Sequence, residues 1–313
     1  AVLVNALDND DKAWDAATAS IDETAFDIIT LGEHGTGILA QSIGGGGGVG
    51  GHARSVSGSV LINLNLSFGG AGGTGGTGGA TTVFSDLDIL SQGSDAIGIV
   101  AQSIGGGGGT GGGAYSNAIT LEVPSEGDIP VPNFTYVGAF GGKGGTANTA
   151  NAVHVYNGGL VVTGGEGAIG ILAQSVGGGG GAGGDATAIS RAVPLQVKGA
   201  SKGKTIAINV VSAVGGDGGS GGHGGDVIVH NASHEGLGAG AVITEGDHGA
   251  GIVAQSIGGG GGKGGDADAA LYTDSLGVFI QDLAGLTPPE KQAREIFSIN
   301  VAVAVGGTGG AGG

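Results

Sequence analysis

Apolar residues fall at every second position in short runs along this chain. Leu64, Leu66 and Phe68 are separated by Asn65 and Ser67, and Val301, Val303 and Val305 by Ala302 and Ala304. A two-residue period is that of a β-strand, whose alternate side chains point to opposite faces. Each such run ends on an apolar residue immediately before Gly-Gly-x-Gly-Gly: Phe68, Phe140, Val214 and Val305. Five residues before these stand Asn63, Thr135, Asn209 and Asn300, so stacked copies would place polar side chains in a ladder. A second run, Gly-Ile-Leu/Val-Ala-Gln-Ser-Ile/Val, leads into five glycines, and its copies place the alanine at Ala40, Ala101, Ala173 and Ala254. Gln41, Gln102, Gln174 and Gln255 are expected to form a second ladder, of stacked amides.

The two blocks alternate, four copies of each, which is the signature of a repeat architecture rather than of separate globular domains. Residues 1–313 are read as a single array of about four units, 1–80, 81–145, 146–225 and 226–313. From the Ala-Gln-Ser block to the following Gly-Gly-x block the steps are 28, 39, 41 and 51 residues, whereas the return steps are 33, 33 and 40. One half of the unit is nearly constant and the other takes inserts: Ala114 to Asn133, Asp185 to Lys204 and Asp266 to Phe297. In the last insert, Thr287-Pro288-Pro289-Glu290 supplies an N-cap, a proline at the first helical position and a Glu three residues after the cap. That spacing predicts a short helix running to Phe297. Tyr115, Phe134, Tyr136, Tyr272 and Phe279 lie in or beside the inserts. They are the candidate partner-binding residues, because exposed aromatics are frequent anchors for partners.

Glycine changes the picture most. The chain has 79 Gly and only 6 Pro, a composition that borders on disorder. Each ordered Gly costs roughly 0.5–1 kcal/mol more than Ala in chain entropy. A folded chain accepts that cost where a Cβ has no room. Gly69 to Gly79 reads as Gly-Gly-x repeated. An extended helix of three residues per turn puts every x on one edge and leaves two glycine edges free to touch neighbours. The expected fold is an all-β repeat protein: an elongated β-solenoid-like stack with packed polyglycine-type extended helices, and one short helix in an insert. Gly107 and Gly179, at the middle of their five-glycine blocks, are expected to be tightly packed, so that valine there would push backbones apart.

The strings beginning at Ala40, Ala101, Ala173 and Ala254 resemble the Gly-rich repeat region of very large autotransporter passengers, the type V secreted proteins of Gram-negative bacteria. The resemblance covers nearly the whole chain. It implies export through the outer membrane and a secreted location, at the bacterial cell surface or extracellular, and it names no ligand. The translocating β-barrel of such proteins is not among these residues. With no methionine in the chain, Ala1 is expected to follow upstream sequence.

Charge and candidate chemistry narrow the function. The chain carries 10 basic against 27 acidic residues, a net charge of −17, which repels nucleic acid and anionic lipid. There is no cysteine, hence no disulfide or thiolate site, and no apolar run long enough for a transmembrane helix. Gly-x-Gly-x-x-Gly recurs by composition, with no helix start after it. Gly203-Lys204-Thr205 is followed by a strand, unlike a phosphate-binding loop. Gly221 to Val229, with Asp226, fits the nonapeptide of calcium-binding β-rolls, and Asp185 and Asp266 stand in partial matches. These matches are isolated rather than tandem, so each Asp is read first as ending a glycine run in a turn; calcium is the one cofactor the pattern admits. His230 and His234, with His223 and His248 in the same region, lack a third ligand and read as exposed loop histidines. The serine of Ala-Gln-Ser recurs once per unit without an adjacent base, unlike a nucleophile. The expected function is a non-enzymatic structural module of a bacterial surface or extracellular fibre or adhesin. Its expected partners are sister copies in a fibre, glycans, or host and cell surfaces. The alternative is a binding module that recognises glycans, ice or another flat surface through the inserts or through repeated edge residues such as Thr74 and Thr77.

Overall fold

The structure is a computed structural model of the chain and describes residues 2–6, 26–122, 131–194, 205–232, 239–273 and 296–313. They form four coils of five strands each. The first coil holds β1 (Val2–Ala6), β2 (Ile28–Thr30), β3 (Thr36–Ile43), β4 (Ala53–Val60) and β5 (Ile62–Phe68). The second holds β6 (Thr81–Ser85), β7 (Ile89–Ser91), β8 (Ile97–Ile104), β9 (Ala114–Glu122) and β10 (Val131–Phe140). The third holds β11 (Val153–Asn157), β12 (Leu160–Thr163), β13 (Ile169–Val176), β14 (Ala186–Pro194) and β15 (Thr205–Val214). The fourth holds β16 (Val227–His230), β17 (Ala241–Thr244), β18 (Ala250–Ile257), β19 (Ala267–Thr273) and β20 (Ile296–Val305). Corresponding strands pair in parallel, so the coils stack into five four-stranded sheets, called A to E in chain order.

This is the all-β architecture of stacked parallel strands that a β-solenoid requires. Among the described residues there is no helix, so none is long and apolar enough to cross a membrane. The expected helix start at Thr287 lies outside the described residues, and Phe297, expected at its end, belongs to β20. Four strands about 4.8 Å apart make a stack roughly 15–20 Å tall. A nine-residue extended glycine segment spans about 28 Å. The long dimension of these four coils therefore lies across the coil, not along the stack.

Each coil has two lobes. Sheets A, B and C enclose one core, with Ile38, Val83, Ile99, Val155, Val161 and Ile171 inside. Sheets D and E face each other around small residues such as Ala114, Ala118, Ala139, Ala188 and Ala213. Between the lobes runs a waist of two glycine segments in antiparallel directions. The N–H groups of Gly70, Gly73 and Gly76 donate to the carbonyls of Gly51, Gly48 and Gly45. The next coil continues the set, with Gly106, Gly109 and Gly112 donating to Gly76, Gly73 and Gly70. A second set joins like segments in parallel: Gly44, Gly47 and Gly50 donate to Ile104, Gly107 and Thr110. Both sets step by three residues, the period of a polyproline-II-type helix, which has no internal hydrogen bonds. Neighbouring segments thus supply the partners that buried backbone donors need.

The third residue of each triplet faces outwards, and this overturns one expectation. A Cβ at Gly106 would fall on the carbonyl oxygen of Gly45, and one at Gly108 on that of Gly145. At Gly107 the nearest atom would be 3.4 Å away and at Gly179 3.9 Å, both ordinary contacts. Gly107 and Gly179 are outward third positions, in column with Gly46 and Gly260, beside which nothing lies within 4 Å. Position within the triplet decides the packing, not position within the five-glycine block.

The inserts are also smaller than the spacing suggested. Most of Ala114 to Asn133 is β9 and the start of β10, and β14 and β19 take up the beginnings of the other two. Only 123–130, 195–204 and 274–295 separate sheet D from sheet E, and these lie outside the described residues. In the first coil the link is Leu61 alone, held at φ 78, a conformation rare for a residue with a Cβ.

The waist gives a direct test. Gly106→Val is expected to cost more than the roughly 1–3 kcal/mol of ordinary overpacking, because the obstacle is backbone. Gly107→Val, one residue on, should stay within about 0.5 kcal/mol, as a surface change does. Urea denaturation of the two variants measures the difference, and equal shifts would mean that the waist is not close-packed.

Candidate functional site

Sheet D places Tyr115 and Tyr272 on its outer face. There the Arg54 guanidinium lies 5.3 Å from the Tyr115 ring centre and that of Arg191 5.6 Å from Tyr272. Both pairs are register neighbours in adjacent coils, so cation–π attraction links the coils. Phe134 and Tyr136 lie on the outer face of sheet E, the opposite side of the same lobe. These four aromatics therefore belong to strands rather than to inserts, and they do not converge on one site. Phe279 lies outside the described residues.

The three candidate calcium ligands are separated as well. Asp185 and Asp266 follow glycine segments that enter sheet D, and Asp226 follows one that enters sheet A, at the other end of the waist. The Asp266 N–H donates to Asp185 Oδ1 at 2.8 Å, so this carboxylate ties one coil to the next. The histidines are dispersed. His223 is exposed on the waist, His230 stacks on Tyr156 with ring centres 5.0 Å apart, and His248 sits at a turn. His234 lies outside the described residues. Among the described residues no three His, Cys, Asp or Glu side chains are grouped to hold a metal ion.

The amide ladder is present. Gln41 Nε2 donates to Gln102 Oε1, Gln102 to Gln174 at 2.7 Å, and Gln174 to Gln255 at 2.7 Å. The serines beside it point inward. Ser103 Oγ accepts the N–H of Asn151 at 2.9 Å, and Ser175 Oγ accepts that of Gly225 at 2.7 Å. Each serine thus satisfies the end of the opposite glycine segment, which is a structural task. The Asn ladder is present in part, as Asn209 Nδ2 donates to Asn300 Oδ1 at 3.0 Å.

One site was not anticipated. The turn between sheets B and C recurs as Gly-Glu-His-Gly, Gly-Ser-Asp-Ala, Gly-Glu-Gly-Ala and Gly-Asp-His-Gly, starting at Gly32, Gly93, Gly165 and Gly246. Its third residue is left-handed in every coil: His34, Asp95, Gly167 and His248 have φ of 56, 53, 71 and 58. Asp and His are among the side chains that tolerate this region. An open hollow of about 420 Å³ lies here, lined by Ser94, Asp95, Glu166, Gly167 and His248. Imidazole and carboxylate alternate, with His34 3.9 Å from Asp95 and His248 3.9 Å from Glu166. These groups are largely exposed, so the hollow offers a polar, net acidic corner and no desolvated reacting centre. Comparison of the chain with protein-family models, curated proteins and solved structures finds no match.

A carboxylate on the waist carries the clearest electrostatic signature. Asp217 Oδ1 accepts the backbone N–H of Thr308 at 3.0 Å and its hydroxyl at 2.8 Å, and Lys143 Nζ lies 3.8 Å from Oδ2. The two Thr308 hydrogen bonds, backbone first, hold this carboxyl below the ordinary carboxylate range, and Lys143 adds to the effect. Because the folded pKa is lowered, the contribution is present above the carboxyl's unfolded value and is lost as pH falls through the folded one. Carboxyl titration by carbon NMR should find Asp217 below the ordinary value, and Thr308→Val should move it upward. An unchanged titration in that variant would mean that the Thr308 hydroxyl does not bond Asp217, since valine keeps the backbone N–H.

Proposed function

We propose that this chain is a structural module of a bacterial surface or extracellular fibre or adhesin, and that it catalyses no reaction. The observation that carries the reading is the register. All five sheets stack strand on corresponding strand in register, and in sheet C each coil sets Ala on Ala, Gln on Gln and Ser on Ser, as in Ala101-Gln102-Ser103 against Ala173-Gln174-Ser175. A chemistry that needs one constellation of groups is concentrated in one place. Here the chemistry is repeated at every level, which suits a part whose job is to hold shape. Packed polyglycine-type helices in the waist keep the two lobes at a fixed distance, and the secreted location follows from the resemblance to autotransporter repeats.

The second reading, a module that binds glycans or another flat surface, is favoured by one observation. Thr74, Thr146 and Ser220 form one outward column of the waist, and Thr77 and Thr149 the next. The array is broken by His223 and by the Lys143 and Asp217 column beside it.

Removing residues 153–226 tests the structural reading. Val153 and Val227 are register partners, so joining Ala152 to Val227 rebuilds the same sheet with one coil fewer. The shortened chain should keep its β circular dichroism and cooperative unfolding, and displayed on cells it should keep attachment while losing about 4.8 Å of height. Attachment lost with the fold intact would place function in one unique coil and overturn the reading. Replacing 123–130, 195–204 and 274–295 with short turns separates the alternative, which requires attachment to fall while the fold stays.

A further inference from the structure

Sheet E carries its large side chains on the face away from its own core. Inward point Asn63, Asn65, Ser67, Thr135, Ala207 and Asn209; outward point the columns headed by Ile62, Leu64, Leu66 and Phe68, which are apolar or aromatic except at Gly138 and Ser212. Leu64 is 65% exposed and Val301, at the other end of its column, 41%. Along the columns the side chains cover one another, as Phe68 and Phe140 do with stacked rings 4.9 Å apart, and among the described residues no other element packs on their outer surface. No charged residue occurs on β5, β10, β15 or β20.

The size of this face bears on its occupant. Ten residues of strand and four strands make about 33 by 19 Å, or roughly 600 Å². That is at the upper limit of the largest apolar patch on a typical monomer, about 300–600 Å². Two such faces bury about 1,200 Å² together, the lower bound for a specific interface. The face is flat and its ridges repeat at the strand spacing, so an identical face fits it across a two-fold axis, as two sheets pack in a sandwich. Charge placement permits the contact despite the net −17. Glu33, Asp95, Glu166, Glu245 and Asp247 stand exposed at the turn between sheets B and C. The waist alone, about 28 Å of extended chain, separates that lobe from sheet E. That exceeds the Debye length of about 8 Å at physiological salt, so the acidic corners of two copies are screened from each other.

We propose that two copies of this chain pack their sheet E faces together, giving a paired stack whose acidic corners point outward. The proposal deepens the structural reading above and rests on it only in treating the module as one that assembles. A chain that fails to pair but survives removal of a coil leaves that reading standing.

Light scattering during size exclusion, from about 1 to 100 μM, spans the affinities that interfaces of this size reach. The expected result is twice the mass of the chain. Leu64→Glu combined with Val210→Glu places carboxylates at the centre of the contact, where they would be buried unpaired. This variant should weaken pairing by at least about tenfold. Since the chain has no cysteine, Val210→Cys gives a second measurement that does not depend on the double variant folding. A bismaleimide longer than the roughly 10 Å between packed sheets should link Val210→Cys copies. It should not link Thr146→Cys copies, substituted on the waist. A monomer throughout, a dimer that the glutamates leave intact, or capture of the monomer by phosphatidylcholine vesicles would each overturn the proposal.

Discussion

In the waist, interior glycine segments lie so close to their neighbours that a methyl group has no place at the first or second position of most triplets, the exceptions being Ala147-Asn148 and Ala150-Asn151 at the sheet A end of one segment. Gly106 meets Gly45 and Gly76, and Gly109 meets Gly47 and Gly48. An extended helix of this kind has no internal hydrogen bonds, so an isolated segment would leave its donors to water. Bundling supplies the missing acceptors, and glycine at nearly every inner position lets the backbones come near enough to use them. The entropy lost by ordering glycine is offset by a hydrogen-bond set running unbroken from Gly45 to Gly313. The lobes are attached to this lattice and inherit its dimensions.

That inheritance explains the side chains beside the waist. Strands of sheets D and E leave it while still close together, so their inner faces begin and end on small residues. Ala53, Ala114, Ala186 and Ala267 open sheet D, and Ser67, Ala139, Ala213 and Ala304 close sheet E. The same constraint makes sense of Ala-Gln-Ser. Its Ala is small enough for the inner face, its Gln points out to the next coil's Gln, and its Ser turns inward to receive an N–H from the other glycine segment. A string that stands out in the sequence is thus a joint between strand and waist.

The sequence therefore revealed some features fully and others only in form. The Gln ladder was legible because a two-residue period and an exact repeat fix both face and register. The burial of sheet E was not. Its alternation of Leu and Phe with Asn and Ser defines two faces, and hydrophobicity alone would turn Leu64 and Phe68 inward. The narrow gap beside the waist overrides that preference. The phase of the glycine triplets could have been read: Val49, Thr110, Ala182 and Lys263 mark third positions, and counting back three residues reaches Gly46, Gly107, Gly179 and Gly260. Sheet D reads as insert in the sequence because Ala114, Ser116, Ala118 and Thr120 alternate small with larger residues, without the apolar contrast that signals a strand. The acidic turn between sheets B and C shows in sequence only as a four-residue recurrence, and its left-handed residues become visible only with the backbone.

The same lattice determines where the chain can vary. One residue added to a glycine segment shifts the triplet phase and turns an outward side chain, such as Thr110 or Lys143, into a contact between backbones. The ends of sheets D and E that the links join are the ends away from the waist. There the strands are separated by one residue in the first coil and by 8, 10 and 22 in the others. The entropy of closing a longer link grows only with the logarithm of its length, so these differences cost little. Length variation is therefore tolerated at the tip and excluded from the waist. A chain built this way can change what it presents at one edge, coil by coil, without disturbing the contact that holds every coil to the next.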